Sequence, residues 1–126
     1  QVLALKPDAA ILAGLDVGVV GPAAGSGASA PRGKVGVVGR SDADGIAFEV
    51  RAFFPGNNGL AEDPVTGSLN AALAQWLIGA GLAPAQYVAS QGTCLGRAGR
   101  VHVQQEGDTI WVGGHSVTCM AGEVLL

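Results

Sequence analysis

The chain has 126 residues, 48% apolar and 13% charged, with a mean hydropathy of +0.38, which is the length of one domain with enough apolar material for a sizeable core. Its net charge of −3, from seven basic and ten acidic residues scattered along the sequence, lacks the basic patch of a nucleic-acid-binding surface. No apolar run reaches about 18 residues, no signal-like start is visible, and two cysteines are too few for a disulfide framework. These features exclude a helical membrane span and point to a reduced, cytoplasmic protein. Cys94 and Cys119 read as buried strand residues, and His102 and His115 have no neighbour at metal-ligand spacing.

In chain order, Val2 to Leu5 reads as a short strand. Lys6-Pro7-Asp8 then opens a short helix with Ile11, Leu12 and Leu15 on one face. Val17 to Val20 reads as a strand, and Ala23 to Arg32 as a Gly/Ser-rich surface loop rather than a phosphate loop. Lys34 to Val38 and Ile46 to Phe53 read as strands around the turn Ser41-Asp42-Ala43-Asp44-Gly45. The second alternates, with Ile46, Phe48 and Val50 on one side and Ala47, Glu49 and Arg51 on the other. A central helix follows, carrying Leu69, Ala72, Leu73, Trp76 and Leu77 as an apolar stripe and stopping at Gly79-Ala80-Gly81. Short strands are predicted at Gln86 to Ser90, Gly99 to Gln104, Thr109 to Val112 and Ser116 to Leu126, with a tight turn at Gln105-Glu106-Gly107-Asp108. Val101, Val103 and Trp111 are expected on the face covering the helix, with Trp76 and Trp111 in the core. The class is α+β, a mostly antiparallel or mixed sheet around one helix.

The chemistry-bearing segment is Glu62-Asp63-Pro64-Val65-Thr66-Gly67-Ser68 at the mouth of that helix. Thr66 and Ser68 are good N-cap residues, and Gly67 lets a ligand or another backbone come close. A helix start offers unpaired N–H groups and a partial positive charge to a carboxylate or phosphate. Asp63 stands beside this anion cradle, held extended by Pro64. Two readings are open: a site that moves a proton on an anionic small molecule, or acids that complement the helix dipole while Ser68 caps it.

This motif, preceded by Arg51-Ala52-Phe53-Phe54-Pro55, resembles the C-terminal half of the PhzF-like (phenazine biosynthesis) family, whose members share the diaminopimelate epimerase fold. Ser90-Gln91-Gly92, then Leu95-Gly96-Arg97-Ala98-Gly99-Arg100 and Ile110-Trp111-Val112-Gly113-Gly114, follow in the order of that family, so the likeness covers roughly Ile46 to Val124. The resemblance implies one lobe of a two-lobed protein, with a sheet wrapped round a helix whose N-terminus faces the cleft between lobes. It implies catalytic roles for Asp63 and Ser68, and substrate binding by Thr66, Gly67 and Asn70, with no metal or cofactor. The best-known family reaction is a proton shift that isomerises a dihydroxy-amino cyclohexadiene acid. The two-cysteine chemistry of diaminopimelate epimerase is not implied, because no cysteine lies in the motif. Asn70 stands where many members carry His and reads either as a first-turn residue near enough to touch a ligand or as an ordinary exposed one; Leu69 replaces a smaller residue, and both changes leave the substrate open.

Several expectations follow. Gln1 is not an initiator methionine, and the sequence opens mid-pattern, so residues 1–126 read as a single C-terminal lobe of a longer protein. The family's acid/base glutamate and Gly-His pair belong to the other lobe and have no counterpart here. The chain alone is therefore expected to be inactive, since a proton shuttle needs a tuned group at the reacting carbon. The leading reading is half of a cofactor-independent isomerase or epimerase-like enzyme acting on a small carboxylic acid. The alternatives are a non-catalytic lobe that binds a small anion or protein, or a half-domain whose homodimer rebuilds the cleft. His115, after Gly113-Gly114, reads as a turn histidine satisfied by backbone or as a residue lining the cleft, while Arg97 either helps an anion or pairs with an acid.

Overall fold

A computed structural model describes residues 1–4, 6, 35–56 and 59–125. The expected first helix, the strand Val17 to Val20 and the loop Ala23 to Arg32 lie outside the described residues. Among those described, one mixed sheet carries six strands: β1 Val35–Arg40, β2 Phe48–Gly56, β3 Gly59–Asp63, β4 Gln86–Gln91, β5 Gly99–Glu106 and β6 Thr109–Gly113. One α-helix, α1 Gly67–Gly79, and two 3-10 turns, Val2–Ala4 and Thr93–Leu95, are the helical elements among the described residues. The α+β class expected from periodicity is the one observed, in the arrangement of one diaminopimelate epimerase-like lobe.

The strand order is β1-β2-β4-β5-β6, with β3 also pairing β2. All pairings are antiparallel except β2 with β4. Helix α1 packs against β5 and β6, while its Leu69 lies over Gly36 of β1, where an added Cβ would sit 2.5 Å from Leu69 Cδ1. The helix thus touches strands at both ends of the sheet order. Five strands at about 4.8 Å spacing are wider than a helix of about 10–12 Å, so the sheet curls round α1.

The core joins Phe48 and Val50 of β2, Ala74 and Leu77 of α1, Tyr87 and Ala89 of β4, and Val101 and Val103 of β5. Phe48 and Tyr87 meet edge-on with ring centroids 5.2 Å apart. The helix ends as its glycines suggest. Gly81 takes φ +69°, Leu82 N–H donates to Leu77 O and Gly81 N–H to Ile78 O, a Schellman closure.

Five expectations are corrected. The segment Val2–Ala4 is a 3-10 turn rather than a strand, and Ser116 to Leu125 carries no strand. Strand β3 is an element that the sequence analysis does not assign, beyond the extended Asp63 ahead of Pro64. Trp76 and Trp111 are 57% and 60% exposed, not core. On β6 the residues that pack inward are Ile110 and Val112, so alternation turns Trp111 out. On α1 the buried positions are Asn70, Ala74 and Leu77, with Leu69 and Leu73 packed against the core beside them, so the expected stripe holds at Leu69, Leu73 and Leu77 while Ala72 and Trp76 fall outside it. Cys94 and Cys119 are both exposed, Cys94 in the second 3-10 turn and Cys119 beyond the last strand.

Candidate active site

The site is built where two strands end on one edge of β2. Strand β3 runs antiparallel to β2 and ends with Asp63 opposite Ala52, while β4 runs parallel and ends with Gln91 opposite Val50. The two strand ends therefore converge beside Arg51. The chain leaves β3 through Pro64 and Val65 into α1, whose first turn starts beside the end of β4.

Successive residues of a strand face opposite sides. This separates the two acids. Glu62 turns to the face away from α1, where Arg51 Nε and Nη2 donate to its two carboxylate oxygens at 2.9 and 2.8 Å. Both side chains are nearly buried, at 7% and 10% exposed. Arg51 also donates to Val2 O and lies over the Phe53 ring, 4.8 Å from its centroid. The hydrogen bonds it donates to Glu62 hold the Arg51 guanidinium above its ordinary range. Glu62 is thus a structural acid.

Asp63 faces the helix. Its Oδ1 accepts from Val65 N–H at 3.3 Å and its Oδ2 accepts from Thr66 Oγ1 at 2.8 Å. Thr66 occupies the N-cap position with extended backbone but makes no side-chain cap bond, because its hydroxyl is turned to Asp63. Ser68 lies inside the first turn of α1, exposed, and does not cap it. The N–H groups of Gly67, Ser68 and Leu69 lack intrahelical partners by their position in the first turn. Gly67 is exposed, and a Cβ built on it meets nothing within 4 Å, so its openness is toward free space rather than toward another strand.

Gln91 organises this corner. It is fully buried, at 0% exposed. Its Oε1 accepts from Thr66 N–H at 3.1 Å and from Asn70 Nδ2 at 2.8 Å. Its Nε2 donates to Asp63 O at 3.0 Å and to Thr66 Oγ1 at 3.1 Å. Asn70 is buried rather than exposed, and its amide nitrogen is further committed to Thr66 O at 2.9 Å. The role of Gln91 could have been found from alternation, since Tyr87, Ala89 and Gln91 share the core-facing side of β4. A glutamine at such a position needs partners.

Gly92, immediately after, has φ +89°, and a Cβ there would lie 2.6 Å from Pro64 O. Only glycine lets the end of β4 approach the proline this closely.

A cavity of about 320 Å³ opens at this helix start, lined by Asp63, Thr66, Ser68 and Leu69 on one side and Val35, Gly36, Ala52, Phe53 and Phe54 on the other. Asp63, Thr66 and Ser68 are therefore brought together on one open surface, whereas Gly67 lines a neighbouring cavity with Val65, Arg100 and His115. Asn70 lines neither. His115 stacks edge-on against His102, ring centroids 5.3 Å apart, and Arg97 makes no ion pair among the described residues. No cluster of His, Cys, Asp or Glu able to hold a metal ion occurs among the described residues.

A family model described as "Phenazine biosynthesis-like protein" matches residues 16–122. The chain is also 37% identical over 78 residues to a protein of Pasteurella multocida (strain Pm70) named "Uncharacterized isomerase PM1503". That match takes in 61% of this chain but 27% of the relative, so the chain spans only a minor part of the relative's length. No solved structure matches significantly. The family match covers most of the chain, including the Asp63 to Ser68 corner and the Gln91 hub that organises it, and the chain belongs to the phenazine biosynthesis-like protein family.

Proposed function

We propose that the chain is one lobe of a cofactor-independent isomerase that moves a proton on a small carboxylic acid. The observation that carries this reading is an acid and a hydroxyl, Asp63 and Ser68, lining one open cavity at the start of a helix. The unpaired N–H groups of the first turn and the Ser68 hydroxyl would receive the substrate carboxylate, where the helix dipole favours negative charge. Asp63, fixed by Thr66 and Val65, would hold or exchange a proton with a polar group of the substrate. The apolar wall of Ala52, Phe53 and Phe54 would exclude water from one side. The name of the Pasteurella relative supports the reaction class.

In this reading a second lobe in the same protein supplies the acid or base that acts at carbon. The exposed, unpaired thiols of Cys94 and Cys119 suit a reduced, cytoplasmic setting. No helix among the described residues is long and apolar enough to cross a membrane.

The test uses the full-length gene product in deuterium oxide with a panel of unsaturated and amino carboxylic acids. Proton NMR should show deuterium entering a carbon-bound position, and Asp63→Asn should slow it about 100-fold or more. The 126-residue chain alone should show no exchange. Unimpaired exchange in the Asp63→Asn protein would sink the reading.

A further inference from the structure

We propose that the face of the sheet turned away from α1 carries a second ligand site, built on Glu49, for a small molecule bearing a primary ammonium group. Cross-strand register places Gly39, Glu49, Ser90 and Arg100 in one row over β1, β2, β4 and β5. Their side of the sheet is opposite the core, because Phe48, Ala89 and Val101 alternate with them and face α1. Over this row lies a cavity of about 340 Å³, lined by Glu49, Ser90, Thr93 and Arg100 and closed at one side by Val2. Val2 packs so tightly that a Cβ on Gly39 would lie 2.5 Å from its Cγ2.

The second observation is the state of Glu49. It is 7% exposed, and its Oε1 is enclosed without a hydrogen-bond partner among the described residues. Arg51, two positions along the same face, adds electrostatic attraction, but its Nε and Nη2 are directed at Glu62. A buried carboxylate oxygen with no donor is costly, and each such group calls for an explanation. Beside Glu49 in the row, Ser90 Oγ stands 3.2 Å from Thr93 Oγ1 and accepts from Arg100 Nη1 at 3.0 Å, and the wall also carries Asp42 and Arg40.

An ammonium group has three donors and a positive charge, so it can engage Glu49, Ser90 and Thr93 together. A neutral hydroxyl or amide would supply a hydrogen bond without neutralising the carboxylate. A calcium-like ion would want six or more oxygens, several of them anionic, and no group of three metal-ligating side chains stands here among the described residues. The cavity is at the lower end of the range for small-molecule pockets, which suits a small amine or amino acid. Arg100 distinguishes these two, because its exposed guanidinium at the rim offers a seat to a carboxylate. This site is independent of the isomerase reading, since it lies on the opposite face of the sheet from Asp63.

The experiment is an NMR titration of the isotope-labelled full-length protein with propylamine, β-alanine and propionate. Saturable shifts are expected at the amides of Glu49, Ser90 and Thr93 with the first two ligands and not with propionate. Glu49→Gln should weaken both by at least tenfold. Arg100→Gln should weaken β-alanine by at least threefold if the natural ligand is an amino acid, and neither ligand if it is a simple amine. Should Glu49→Gln fail to fold, Ser90→Ala is expected to weaken both ligands by at least threefold. The site is overturned if no saturable shift occurs, if propionate acts equally, if shifts centre on Asp63 and Ser68, or if Glu49→Gln leaves affinity unchanged.

Discussion

Gln91 holds Thr66 by both ends of its amide, accepting from the Thr66 backbone N–H at 3.1 Å and donating to the Thr66 hydroxyl at 3.1 Å. Through Thr66 the same amide reaches Asp63, whose Oδ2 accepts from that hydroxyl. A buried residue at the end of β4 thereby sets the carboxylate at the end of β3 and the first residue before α1. The geometry of this corner is a property of two strand ends rather than of the loop between them.

Replacing Gln91 with Ala should therefore cost about 3 kcal/mol, since it strands buried donors and acceptors on Asp63, Thr66 and Asn70. Urea unfolding monitored by circular dichroism checks this. A loss below about 1 kcal/mol would mean that the hub contributes little to folding.

The two acids should separate by kind of damage. Glu62→Gln leaves the nearly buried Arg51 guanidinium short of its counter-charge and should cost about 3 kcal/mol of stability. Asp63→Asn should cost about 1 kcal/mol, because it weakens one charge-assisted bond at a partly exposed group. Activity of the full-length protein should follow the opposite order. Paired melting and exchange measurements on both variants decide it.

Gly92→Ala should destabilise by about 2 kcal/mol or more, because alanine at φ +89° is strained and its Cβ would run into Pro64 O. Gly79→Ala is the control, as nothing lies within 4 Å of a Cβ there. It should raise stability slightly through helix propensity. Equal behaviour of the two variants would refute the close approach.

Burial pushes the Tyr87 phenol above its ordinary 10.0. The unfolded chain then releases this proton at lower pH than the folded one, so the stability tied to Tyr87 is full below pH 10 and declines as pH rises beyond it. Tyr87→Phe keeps the edge contact with Phe48 and should flatten that decline. Thermal melts at pH 9 and pH 11 for both proteins supply the comparison, and parallel declines would contradict it.

Trp111→Gln should change stability by no more than about 0.5 kcal/mol, as expected for an exposed side chain. Iodide should quench most of the fluorescence of the native protein, because Trp76 is exposed as well. A blue-shifted, protected emission would place these rings back in a core.

The sequence alone determined the class, the extent of α1 within two residues, the positions of β2, β4, β5 and β6, and the family. These rest on local rules: alternation in Phe48, Val50 and Ala52, helical spacing from Leu69 to Leu77, and glycine at a left-handed helix end. Periodicity put Leu69, Leu73 and Leu77 on the core side but could not bring the polar Asn70 inside with them. That depended on Asn70 finding Gln91, 21 positions away in sequence and 2.8 Å away in space.

Alternation likewise told Glu62 from Asp63 only once the register of β3 against β2 put Glu62 on the side of Arg51. The exposed Trp111 and the enclosed Glu49 follow the same logic: apolarity and charge describe a residue, while burial is set by what the rest of the chain places over it. Tertiary structure alone, by bringing the ends of β3 and β4 together on one edge of β2, decided that Asp63, Thr66 and Ser68 share a single open surface.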